Sequence, residues 1–162
     1  MNAAEPILIA FDGSPAARGA VEAAAKLLAP RPVVVVTVWE AGLAYATAAS
    51  PPDVEMSPSV DPATVLDVDR ELQRHAEIVA REGAELARSL GLAAEPLALA
   101  DAGGVANTIL DLAAEHHAAA IVVGSRGLSG LRARLEGSTS KTVSKRASCP
   151  VVVVHEAEDD GS

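Results

Sequence analysis

Along this chain, short unbroken apolar runs take turns with longer stretches in which apolar residues recur at helical spacing. Pro6–Phe11, Val33–Trp39 and Ala119–Gly124 are runs of strand length, and Pro150–His155 is built around four valines. Such runs suit strands buried on both faces. Ala93–Ala100 is a weaker fifth strand, which Pro96 marks as bent or at an edge. Ala17, Ala20, Val21, Ala24, Leu27 and Leu28 place one apolar stripe on a helix over 16–29, between Ser14-Pro15 at its start and Pro30 and Pro32 past its end. The longest helix is predicted over 63–90, with Leu72, Ala76, Val79, Gly83, Leu86 and Leu90 inward, Glu77 and Arg81 outward, and Gly91 as its stop. A third helix follows Asp101–Gly104 to about His116 and buries Val105, Ile109, Leu112 and Ala113. A fourth covers 137–147.

Strands that alternate with helices predict an α/β fold: an open parallel sheet of five strands, with right-handed crossovers and helices on both faces. Residues 40–62 break the pattern, with Pro51, Pro52, Pro58 and Pro62 among alanines and serines. A stretch of that length reads as a flexible flap. The expected organisation is one domain over residues 1–156, carrying the 40–62 flap, and an acidic tail over 157–162.

Composition narrows the partners. The chain has 162 residues, a formal net charge of −9 and one residue each of Phe, Tyr and Trp. Neither a polyanion-binding surface nor a base-stacking surface fits those numbers, so no nucleic acid is expected. One small anion remains possible, since backbone amides and a few arginines supply a local field. The lone Cys149 fits a reducing compartment and reads as a small core residue. The N-terminus lacks a basic segment before a long apolar one, and no apolar run reaches membrane-spanning length. These features predict a cytoplasmic protein without membrane contact.

The candidate chemistry lies in Val122-Val-Gly-Ser-Arg-Gly127 and Gly137-Ser138-Thr139. A strand that ends in a glycine loop and leads into a helix start is a phosphate cradle, because free N–H groups and the helix dipole converge there. In open parallel sheets ligands bind beyond the carboxyl ends of the strands, where strand order reverses. The Asp12-Gly-Ser-Pro turn after the first strand faces the same crevice if the first and fourth strands are neighbours. The glycines at 124, 127 and 130 do not follow G-x-G-x-x-G, and Gly137 is not followed by Lys as a Walker loop requires.

The spacing that fits is Gly-x2-Gly-x9-Gly-Ser, at Gly124, Gly127, Gly137 and Ser138. With Asp12-Gly-Ser14, Thr37-Val38 and Cys149-Pro-Val-Val-Val-Val154, the chain resembles the universal stress protein family, in its ATP-binding subgroup, over almost its whole length. Ala119 departs from it, since the family often carries an acidic residue there. The resemblance implies strand order 3-2-1-4-5 and a homodimer paired through Val151, Val152, Val153 and Val154. It also implies ATP as ligand. Asp12 would lie beside the ribose and a nucleotide-bound Mg2+, Val38 would offer main-chain contacts to adenine, and Gly124, Arg126, Gly127, Gly137, Ser138 and Thr139 would surround the phosphates. Arg132 and Arg134 add positive charge to the same loop.

Plainer readings stand beside these. Asp12 or, better, Ser14 fits a helix cap, and the glycine stretch fits a surface turn. His116 and His117 lack the neighbours of a metal site. Four functions follow: an ATP-binding stress or signalling module; a slow nucleotide hydrolase, for which no base is evident; a binder of cyclic AMP or AMP; and a nucleotide-free scaffold dimer.

Overall fold

The computed structural model describes residues 4–41, 62–101, 103–125 and 138–155. In chain order the elements are β1 (Ile7–Ala10), α1 (Pro15–Leu27), β2 (Val33–Trp39), α2 (Pro62–Ser89), β3 (Ala94–Ala100), α3 (Val105–Glu115), β4 (Ala120–Gly124), α4 (Ser138–Arg146) and β5 (Val151–Val154). The flap expected over 40–62, apart from Glu40, Ala41 and Pro62, and the tail expected over 157–162 lie outside the described residues.

The five strands are parallel and ordered β3-β2-β1-β4-β5. β3 is an edge strand, as Pro96 requires. Val33 N–H bonds Ala93 C=O and Asp101 N–H bonds Trp39 C=O, which turns the odd-numbered residues of β3 towards β2. Pro96 therefore points its nitrogen outward, where the ladder misses no donor.

Each face of the sheet carries its own core. Ile7, Ile9 and Phe11 pack on one side with α1 residues Ala17, Ala20, Val21 and Ala24 and α2 residues Val79, Ala84 and Ala87. Leu8 and Ala10 pack on the other with α3 residues Ile109, Leu112 and Ala113 and with Val143 of α4. The first strand thus belongs to both cores, which explains its unbroken apolar run.

Two positions refine the stripe expected on α2. Leu90, expected inward, is 43% exposed. The helix stops at Ser89, Gly91 N–H reaches Arg88 C=O and Leu92 N–H reaches Ala87 C=O, both at 3.0 Å. That closure turns Leu92 into the core in place of Leu90. Gly83 sets how closely the helix approaches the sheet. A Cβ there would stand 2.6 Å from Phe11 Cδ1 and 2.7 Å from Val35 Cγ1. Gly83→Ala gains about 1 kcal/mol of helix propensity but overpacks a full site, so a net loss of about 1–2 kcal/mol is expected. Urea titration checks this as a lower midpoint at unchanged slope.

Candidate functional site

The strand order reverses at β1. The α1 crossover leads from it to β2 on one side, whereas the α3 crossover delivers β4 to its other side. The carboxyl ends of β1 and β4 therefore flank a crevice, and Asp12 and Gly124 lie at those ends. The first and fourth strands are thus neighbours, as the shared crevice requires.

Asp12 is half-buried, and its Oδ1 accepts the Ser14 N–H at 2.9 Å. Ser14 is the N-cap of α1: its Oγ accepts the Ala17 N–H at 3.1 Å. Of the two plainer readings, the cap thus falls to Ser14, and Asp12 shapes the turn with one carboxylate oxygen. Side chains alternate along β1, with Leu8 and Ala10 towards α3 and α4. Continued one step, that alternation sends Asp12 to the face where α4 packs.

Val38 is half-buried near the end of β2, and its side chain packs on the same face. Its main chain matters more. The last β1–β2 pair is Ala10 with Val36, and Phe11 N–H bonds Val36 C=O at 2.8 Å. By strand alternation Val38 aims its N–H and C=O to the β1 side, past the end of that pairing. A polar main-chain edge therefore borders the crevice.

Gly124 has a physical reason of its own in the packing of α1 against the sheet. A Cβ at this position would stand 2.9 Å from the carbonyl carbon and Cβ of Ala16 and 3.0 Å from its oxygen. The missing side chain makes room for the first turn of α1, so helix packing by itself dictates glycine here. Ser125 N–H is taken by Val154 C=O at 2.9 Å. Arg126, Gly127 and Gly137, with Arg132 and Arg134, lie outside the described residues. Ser138 and Thr139 form the first turn of α4, Ser138 exposed and Thr139 half-buried. Since a crossover helix runs against its strands, this turn starts at the same edge of the sheet as the crevice. Thr142 Oγ1 donates to Ser138 C=O at 2.9 Å.

Other candidates resolve away from the crevice. Ala119 N–H bonds Pro6 C=O, so the segment before β4 lies at the amino-terminal edge of the sheet. His116 and His117, which close α3, are at that opposite edge. Among the described residues no cluster of His, Cys, Asp or Glu has the geometry of a metal site. Cys149 is half-buried against the α3–α4 core, and burial pushes its thiol pKa up, which keeps it protonated. β5 is an edge strand of half-buried valines that, among the described residues, pairs with β4 alone. No described helix is long and apolar enough to cross a membrane. One residue that pattern reading passes over is Thr37, buried on a strand of valines, whose Oγ1 donates to Phe11 C=O at 2.8 Å. Its signal is a lone polar residue inside an apolar run.

Residues 4–155 match the universal stress protein family. The chain belongs to that family. Universal stress protein YxiE of Bacillus subtilis is 30% identical over 148 residues, which cover 91% of this chain and 97% of that protein. Among solved structures, hypothetical protein MJ0577 superposes with a TM-score of 0.70 at 18% identity, over 95% of this chain and 97% of the other. A universal stress protein in complex with cAMP gives a TM-score of 0.60 at 24% identity, covering 95% and 98%. The universal stress protein from Archaeoglobus fulgidus in complex with dAMP gives 0.60 at 22% identity, covering 94% and 98%. At those identities the structural likeness speaks for the fold. Family membership rests on the match along the sequence.

Proposed function

We propose that this universal stress protein is a cytoplasmic ATP-binding module of stress response or signalling, working as a homodimer paired through Val151–Val154 of β5. The adenosine occupies the crevice between β1 and β4, with Asp12 beside the ribose and the Val38 main chain against the base. Gly124, Arg126, Gly127, Gly137, Ser138 and Thr139 surround the phosphates. The observation that carries this reading is the position of Asp12, Val38 and Gly124 at the switch point of the sheet. The Gly-x2-Gly-x9-Gly-Ser spacing adds to it, as do family members solved with cAMP and with dAMP.

Mg2+ fits as a companion of the nucleotide. It needs few protein ligands when phosphates supply oxygens, and Asp12, with one oxygen engaged by Ser14, offers a single carboxylate. Hydrolysis is at most slow in this reading. It needs a group that orients water at the terminal phosphate, and both histidines of the α3 end lie at the far edge.

The two AMP-type complexes support a second reading, in which cyclic AMP or AMP is the ligand. Calorimetry with ATP, AMP and cyclic AMP separates the two, together with chromatography of whatever nucleotide the purified protein releases on denaturation. ATP is expected to bind most tightly, and Asp12→Ala to weaken it by about tenfold, the effect of one lost charge-assisted hydrogen bond. No adenine nucleotide released and no heat with any of the three would leave the nucleotide-free scaffold dimer.

A further inference from the structure

The β1–β2 ladder stops one bond earlier than its own pattern allows. In a parallel pair, Phe11 N–H on Val36 C=O is followed by Val38 N–H on Phe11 C=O. The first bond is present at 2.8 Å. In place of the second, the buried Thr37 Oγ1 donates to Phe11 C=O at 2.8 Å. No described group pairs with the Val38 N–H or C=O, although both face the β1 side. A side-chain hydroxyl has replaced a main-chain donor, and the donor it replaced borders the crevice.

We infer that Thr37 is a positioning residue for base recognition: by occupying the Phe11 carbonyl, it keeps the Val38 main-chain N–H and C=O available to read the edge of a bound adenine. This rests on the nucleotide reading above. An extended residue presents its N–H and C=O side by side. Adenine offers an amino donor beside a ring-nitrogen acceptor, which complements that pair. Hypoxanthine offers a carbonyl acceptor beside a ring N–H, which opposes it. Valine at position 37 keeps the shape and loses the donor. Phe11 C=O then draws in the Val38 N–H, and the ladder closes over the recognition edge.

ATP and ITP share ribose and phosphates, so the ratio of their affinities reports the base edge alone. The test measures both by calorimetry for the unaltered protein, Thr37→Val and Thr37→Ser. The unaltered protein is expected to favour ATP. Thr37→Val lowers that preference by about tenfold, the effect of one hydrogen bond, and Thr37→Ser restores it. In the ligand-free protein, hydrogen exchange at the Val38 amide is expected to slow by about tenfold in Thr37→Val, as the amide enters the ladder. Should the valine variant fail to fold, Thr37→Ala, which lacks the donor and adds no bulk, takes its place. An ATP preference unchanged in these variants overturns the inference and leaves the nucleotide reading standing. Failure of the unaltered protein to bind either nucleotide overturns both.

Discussion

Phe11→Ala is expected to destabilise the protein by about 3–5 kcal/mol, read as a fall in the urea midpoint. Phe11 is 1% exposed, and its ring fills the space between β1 and α2. On the helix side its neighbour is Gly83, which has no side chain to swing into the gap, so the cavity stays open. The cost is therefore the lost transfer free energy of the ring together with the lost contacts of its lining. The same geometry makes a second measurement decisive. Alone, Gly83→Ala crowds both Phe11 and Val35; in the Phe11→Ala background the ring contact is gone and Val35 Cγ1, at 2.7 Å, still has to give, so its cost is expected to be smaller. The two effects do not add, and a double-mutant cycle reads their coupling. Additive effects within about 0.5 kcal/mol would mean that the ring and the helix backbone are not in contact.

Gly124→Ala is expected to cost about 2–3 kcal/mol and to weaken nucleotide binding by about tenfold. The added Cβ meets the main chain of Ala16 at 2.9 Å, and a main chain cannot rotate aside. The first turn of α1 must shift, although Ser14 caps it and Asp12 is tied to Ser14. Displacement of α1 thus reaches Asp12 as well as the main chain at residue 124. Thermal denaturation gives the first effect and calorimetry with ATP the second. Weakened binding without any loss of stability would mean that the added methyl meets the phosphate and not Ala16.

These two glycines also show where sequence reading reaches its limit. The alternation of apolar runs with helical spacing is a local signal, and it located each strand and helix to within about two residues. Pro96 marked an edge strand correctly because the missing N–H is tolerated only there. Leu90 was misplaced because the helix closes through backbone bonds at Gly91 and Leu92, which a stripe of apolar residues does not encode. That Asp12, Val38 and Gly124 lie at or near strand ends was legible from the apolar runs they close. The reason for Gly124 was not, because its partner is Ala16, distant in sequence. Nor was the bond between Thr37 and Phe11, which exists only once β1 and β2 lie side by side. The phosphate half of the site, at Arg126, Gly127 and Gly137, keeps its support in spacing and resemblance.

The place of β1 at the middle of the sheet has a consequence for the order in which the protein is made. On a growing chain β1, α1 and β2 emerge together and pair through short-range contacts, with β3 adding at the edge. The other side of β1 waits for β4, since Ile7 pairs with Ala120. Contacts between such distant residues form slowly, because a long loop must close before they are rewarded. The crevice needs the ends of both strands. A nascent chain therefore has half a sheet, with the unpaired main-chain N–H and C=O groups of β1 along one edge, well before it has the crevice, and a nucleotide held as proposed would bind only the nearly complete protein.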